Sequence, residues 1–130
     1  MVPIVEPEVL PNGTHTIEKC KEVTEKIIKM TLDACKEQGV HMPGCLLKVN
    51  MVTKGQALDV KLPVRTVAEH TVDSLVNGTK GHDLGGVVFL SGGLSEIDSA
   101  LYLNEINKVK TEKVTKFLDI ESIFLCKCRS

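Results

Sequence analysis

The chain has 130 residues, of which 42% are apolar and 25% charged, a balance that suits one globular domain with a real core and argues against membrane-embedded and disordered classes. Lys and Arg number 16 against 17 Asp and Glu, so a net charge of −1 gives no electrostatic footprint for nucleic acid or an anionic membrane, and neither is expected as a partner. The opening Met1-Val2-Pro3-Ile4-Val5-Glu6 has no basic region and no apolar run of signal-peptide length, which makes the cytoplasm the expected setting. The five cysteines are then expected to be reduced and mostly structural. Cys126 and Cys128 have C-x-C spacing but no nearby histidine to complete a zinc site.

In chain order, the first strand is expected over Val2 to Glu8, followed by a Pro11-Asn12-Gly13 turn and a helix from about Thr16 to Gln38. Ile17, Cys20, Ile27, Ala34 and Cys35 form its apolar stripe, Thr14 or Thr16 can cap its start, and Gly39 suits the left-handed position past its end. The second strand, Cys45 to Asn50, is framed by Pro43-Gly44 and Gly55. Its helix starts at Pro63, where a missing N–H is harmless, and runs through Val67, Ala68, Val72, Leu75 and Val76 to Asn77-Gly78. The third strand, Gly86 to Leu90, is apolar throughout and reads as buried on both faces; a helix from Ser95 to about Asn107 follows. Asn12-Gly13-Thr14 and Asn77-Gly78-Thr79 match the glycosylation acceptor pattern but read better as turns. Strand–helix alternation of this kind fits an open doubly wound sheet or a (β/α)8 barrel, and periodicity does not choose between them.

Three groups of residues carry chemical interest. Glu6 and Glu8 lie two apart on a strand, so both point to one side, about 6.5 Å apart. They are either carboxylates held in a core or the ordinary acids of a strand running into solvent. Lys48 stands inside an apolar strand, where it either snorkels outward or, desolvated, becomes a neutral amine able to attack a carbonyl. Ser91-Gly92-Gly93 follows the most apolar strand and precedes a helix start, which suits either a tight turn or an anion cradle built from backbone N–H groups. His15, His41, His70 and His82 show no ligand spacing, and the Lys110 to Lys116 charges read as a solvated face.

Taken together, Val2-Pro3-Ile4-Val5-Glu6-Pro7-Glu8, Leu46-Leu47-Lys48-Val49-Asn50-Met51-Val52-Thr53 and Phe89-Leu90-Ser91-Gly92-Gly93 closely resemble three signatures of class I (Schiff-base) fructose-bisphosphate aldolases, in the same order and at the same separation. Val23-Thr24-Glu25-Lys26 and Leu103-Asn104-Glu105-Ile106-Asn107-Lys108 extend the similarity from residue 1 to about residue 108. The resemblance implies the C-terminal half of a TIM barrel, with about three βα units over 1–108 and a divergent segment over 109–130. It implies a glycolytic lyase in which Lys48 is the Schiff-base amine, Glu6 the acid/base carboxylate and Glu8 its electrostatic neighbour. In the family reaction the lysine condenses with the C2 ketone of fructose 1,6-bisphosphate, and the iminium accepts the electron pair as the C3–C4 bond breaks. Glyceraldehyde 3-phosphate leaves, and the enamine is protonated and hydrolysed to dihydroxyacetone phosphate. No metal and no cofactor are implied, because the iminium does the polarising. Leu90, Ser91 and Gly92 match the loop that binds a substrate phosphate, so the implied partner is a small sugar phosphate, with a homo-oligomer expected of the full barrel.

The sequence also departs from the family. Val49 replaces a proline beside the lysine, Lys54 replaces a proline after the lysine strand, and Leu94 replaces a glutamine of the phosphate loop. Arg129 does not match the arginine of the family's last strand, and Tyr102 is no substitute for its C-terminal tyrosine. Val114, Phe117, Leu118, Phe124 and Leu125 could form a helical stripe, which leaves the tail's structure open. A barrel has eight strands and about 250 residues, so the earlier strands and their active-site groups are not located here. The alternative reading is a truncated, catalytically silent remnant that at most binds a sugar phosphate or a protein. Four or five large side chains are expected to face water in so few strands, so the isolated chain is expected to aggregate, self-associate or require its missing half, with negligible aldol cleavage by itself.

Overall fold

A computed structural model describes residues 1–113 and 123–125. Four strands, β1 (Ile4–Val5), β2 (Leu46–Asn50), β3 (Gly86–Leu90) and β4 (Ile123–Leu125), form one parallel sheet in the order β1-β2-β3-β4. The connections carry helices α1 (Ile17–Glu37), α2 (Val64–Gly78) and α3 (Glu96–Lys113). Sequential strand order with a helix in each crossover is the arrangement of a barrel segment, since an open doubly wound sheet reverses its order at a switch point.

The helices cover one face of the sheet. Leu47 and Val49 of β2 and Val87 and Phe89 of β3 pack with Ile28 and Leu32 of α1, Ala68, Val72 and Leu75 of α2, and Ile106 and Val109 of α3, all essentially solvent-free. Strand alternation sends Leu46, Lys48 and Asn50 of β2, and Val88 of β3, to the opposite face. On that face Ile4 is 48% exposed, and Leu46 and Val88 are half-buried. The rest of β2 and β3 is buried, so within these two strands fewer apolar side chains meet water than the sequence suggested.

Local chemistry explains the helix ends. Thr16 Oγ1 accepts from Lys19 N at 3.3 Å and caps α1. At its other end Gly39 takes φ +75°, and Gly39 N and Val40 N donate to Lys36 O and Cys35 O, the paired bonds of a Schellman ending. Pro63 is the residue before α2 and not its first turn. Asn77-Gly78 belongs to the last turn of α2, where Ile28 packs so close to Gly78 that a Cβ would lie 2.9 Å from its side chain.

Three further expectations change. The first strand shrinks to two residues, because Pro3 and Pro7 bring no N–H to the ladder. The third helix extends past Asn107 to Lys113, where Arg65 of α2 pairs with Glu105 and Glu112 and so ties the extra turn to the core. Phe124 and Leu125, candidates for a helical stripe, lie instead in β4, which pairs Val87 with Ile123 and Phe89 with Leu125. Val114, Phe117, Leu118, Cys126, Cys128 and Arg129 lie outside the described residues, as does part of the Lys110 to Lys116 charge run. No helix among the described residues is long and apolar enough to cross a membrane.

Candidate active site

Lys48 is the third of five residues in β2, in register with Val88 of β3. Its side chain is 8% exposed, and Nζ donates to Glu6 Oε2 at 3.1 Å, while the Glu6 side chain is 51% exposed. The lysine therefore points away from the helix layer and meets the first acid of the Glu6-Pro7-Glu8 segment. One end of this pair is dry and the other is wet, which leaves the carboxylate open to exchange protons with solvent.

Glu8 does not join that pair; its Oε1 faces Gly92, 3.7 Å from where a Cβ on that glycine would sit. Glu8, Asn50, Leu90 and Gly92 line one narrow crevice together with His15 and Cys20. The two acids thus serve two neighbours, Glu6 the lysine and Glu8 the loop after β3. Burial pushes the Cys20 thiol above its ordinary pKa, and Thr24 Oγ1 lies 3.9 Å from its Sγ.

Leu90 closes β3 and is buried, Ser91 and Gly92 are half-buried, and Gly93 takes φ +78°, a conformation that favours glycine. Leu94 N donates to Ser91 O at 3.1 Å, tightening the turn. Ser95 Oγ then caps α3 by accepting from Asp98 N at 3.0 Å. The loop therefore delivers the chain directly into a capped helix N-terminus, the electropositive end of the helix. Leu94, where a glutamine was expected, packs against the main core.

Two side chains without assigned roles hold these loops in place. Gln56 Nε2 donates to Gly93 O at 3.0 Å, and its own loop is joined to the loop after β1 by Gly55 N to His15 O, Gln56 N to Pro11 O and Ala57 N to Gly13 O. Gln56 thus links the loops that follow β1, β2 and β3. Thr71 of α2 accepts from Val52 N at 2.9 Å and donates to Val67 O at 2.7 Å, anchoring the chain just beyond β2. A hydroxyl within the Val67-Ala68-Val72-Leu75 stripe was the sequence signal for Thr71; nothing local marked Gln56.

Lys54 Nζ donates to Leu58 O at 2.6 Å and Gly55 O at 3.4 Å, so this departure from the family pattern secures its own loop. That loop and the start of α3 border a separate cleft of about 620 Å³ lined by Lys54, Asp59, Lys61, Asp98 and Tyr102, with Lys48 and Glu6 outside it. Burial first, and Asp98 second, raise the Tyr102 phenol above its ordinary pKa. His70 Nδ1 contacts Thr66 O within α2, and His82 Nε2 lies 3.0 Å from Asp33 Oδ1. No His/Cys/Asp/Glu group with metal-holding geometry occurs among the described residues.

Comparison with known proteins places this geometry. Residues 1–117 match the family described as fructose-bisphosphate aldolase class-I. The chain belongs to the class-I fructose-bisphosphate aldolase family. It is 45% identical over 113 residues to the non-muscle fructose-bisphosphate aldolase of Lethenteron camtschaticum, a match covering 87% of this chain and 31% of that protein. It is 47% identical over 107 residues to fructose-bisphosphate aldolase B of Ovis aries, covering 82% and 29%. Its fold superposes with TM-score 0.80 and 45% identity on a fructose-bisphosphate aldolase from Plasmodium falciparum, solved in complex with TRAP and a small-molecule inhibitor, covering 84% of this chain and 31% of that one. The four-stranded sheet is part of an aldolase TIM barrel, and the chain spans about a third of the length of the relatives it matches.

Proposed function

We propose that this chain supplies the imine-forming segment of a fructose-bisphosphate aldolase, with Lys48 as the attacking amine, Glu6 as the acid/base carboxylate and Glu8 as the neighbour that tunes it. The observation that carries this reading is the 3.1 Å contact between a buried lysine and a half-exposed carboxylate, within an aldolase-family barrel segment. That separation lies inside the window for proton transfer between a base and a reacting amine.

The chemistry follows from the two groups. The Lys48 nitrogen bonds to the C2 ketone carbon of a ketose phosphate, a proton passes by way of the Glu6 carboxylate to the departing oxygen, and water leaves as the iminium forms. The Glu6 carboxylate takes the C4 hydroxyl proton as C3–C4 breaks, and the bond's electron pair passes into the iminium, giving an enamine on Lys48 and an aldehyde product. Protonation of the enamine carbon and attack of water on the resulting iminium return the amine and release dihydroxyacetone phosphate. Leu90, Ser91 and Gly92 would receive a substrate phosphate at the loop before α3, where the electropositive N-terminal end of a helix favours an anion. The remaining barrel strands of the family would provide the other phosphate grip, and a cytoplasmic homo-oligomer is the corresponding assembly.

The test is reduction with borohydride in the presence of dihydroxyacetone phosphate. Wild-type chain should form a stable secondary amine on Lys48, and Lys48→Arg should form none, because a guanidinium stays protonated and makes no imine. Equal labelling of the two proteins would remove Lys48 from the mechanism.

A further inference from the structure

We propose that Asn50 is a positioning residue for the Lys48–Glu6 pair, holding the acid-bearing segment against the lysine strand where the backbone ladder no longer can. The inference rests on the imine reading of Lys48 and deepens it.

The sheet has a gap beside the lysine strand. Backbone pairing between β1 and β2 runs from Ile4–Leu46 to Val5–Leu47 and stops there. Glu6 is the next residue, and Pro7 has no N–H with which to continue the ladder. A two-residue edge strand would ordinarily fray at that point, and the carboxylates of Glu6 and Glu8 would wander with it. The next tie across the same boundary comes from a side chain. Asn50 Oδ1 accepts from Val9 N at 2.9 Å, while Asn50 Nδ2 donates to Met51 O at 3.3 Å. The Glu6-Pro7-Glu8 segment is therefore fixed at both ends, by the ladder before it and by the carboxamide after it.

Burial and direction make this more than a surface contact. Asn50 is 7% exposed, and a buried carboxamide is tolerated when its polar atoms are bonded, as both are here. It stands on the same face of β2 as Lys48, two residues on and about 6.5 Å away along the strand. Across the sheet it pairs in register with Leu90, the first residue of the candidate phosphate loop, and it lines the crevice that holds Glu8 and Gly92. One side chain thus sets the relative heights of the lysine strand, the acid segment and the loop after β3. Displacing reacting groups by about 1 Å can lower a rate by about 10²-fold, so this tie bears on reaction rate as well as on folding.

The experiment measures the rate of borohydride trapping by dihydroxyacetone phosphate at Lys48 across pH in wild-type chain, Asn50→Ala and Asn50→Asp, with circular dichroism melts of each. Asn50→Ala removes the acceptor for Val9 N and should trap about 10- to 100-fold more slowly, with a pH profile of altered shape, because the acid-bearing segment is no longer held at hydrogen-bond distance from Lys48. Asn50→Asp keeps an oxygen where Oδ1 stands, at the loss of the longer Nδ2 bond to Met51 O, and should recover part of the rate. A folded Asn50→Ala chain with the wild-type rate and profile overturns the inference alone. Should Asn50→Ala lose its fold, Asn50→Asp decides, and a folded Asn50→Asp chain that traps no faster than a hundredth of wild type overturns it. Absence of trapping in wild type instead removes the imine assignment on which both claims stand.

Discussion

The two faces of the sheet are built on opposite rules. Under the helices, Leu47, Val49, Val87 and Phe89 are buried in a continuous apolar core. On the other face the same strands present Lys48 and Asn50, bonded to Glu6 and to Val9, beside a half-exposed apolar margin at Ile4, Leu46 and Val88. Stability is concentrated on the first face, and the proposed reacting groups stand on the second. Strand alternation lets one five-residue segment serve both, so neighbouring positions in Leu46-Leu47-Lys48-Val49-Asn50 should respond to mutation in opposite ways.

The largest expected effect lies on the helix side. Phe89→Ala removes a fully buried ring and should cost about 3–5 kcal/mol, read as a shift in the denaturant midpoint; a loss under about 1 kcal/mol would show that this core is not the main support. Thr71→Val should cost about 1–3 kcal/mol, because Val52 N loses its acceptor in a buried setting, and the damage should spread into the loop beyond β2 as faster amide exchange at Val52. Thr16→Ala at the start of α1 should cost about 1 kcal/mol, measured in the same titration.

The opposite face should give the reverse pattern. Lys48→Met leaves a half-exposed Glu6 that water can solvate, so stability should change by no more than about 1 kcal/mol in either direction while imine formation disappears. A loss near that of Phe89→Ala would make the lysine a structural residue and erase the contrast between the faces. The smallest effect concerns Cys20. Burial raises its thiol pKa, so the reactive thiolate is scarce at neutral pH in the folded chain, and alkylation should be slow until denaturant exposes it. Rapid labelling of native Cys20 would mean that the crevice beside Glu8 opens freely.

How far the sequence revealed this arrangement depended on whether the deciding contact was local. Gly86–Leu90 was legible to the residue, since an unbroken apolar run between glycines leaves little choice; Gly39 marked the end of α1, and its start was narrowed to Thr14 or Thr16, of which Thr16 is the cap. Lys48, Glu6 and Glu8 drew notice as charged residues in expected strands, but the residues alone left a snorkelling lysine and solvent-facing acids open, and their roles came from the family resemblance. The short β1 was not legible because Pro3 and Pro7 act through donors they lack, and only the partner strand shows where pairing stops. The extra length of α3 depends on Arg65, some 40 residues before Glu105, and β4 depends on pairing with a strand more than 30 residues upstream. The ties made by Asn50, Gln56 and Thr71 each bind a backbone group on another segment, so residue type alone could not assign them.

The most direct test of this division of labour is peptide mapping of the chain after borohydride reduction with dihydroxyacetone phosphate. The account predicts a reduced adduct confined to Lys48, lost in Lys48→Arg and retained in Thr16→Ala, whose change lies on the helix side. An adduct spread over the exposed lysines, or one that persists at the same yield in Lys48→Arg, would contradict the claim that the buried lysine of β2 is where the chemistry occurs.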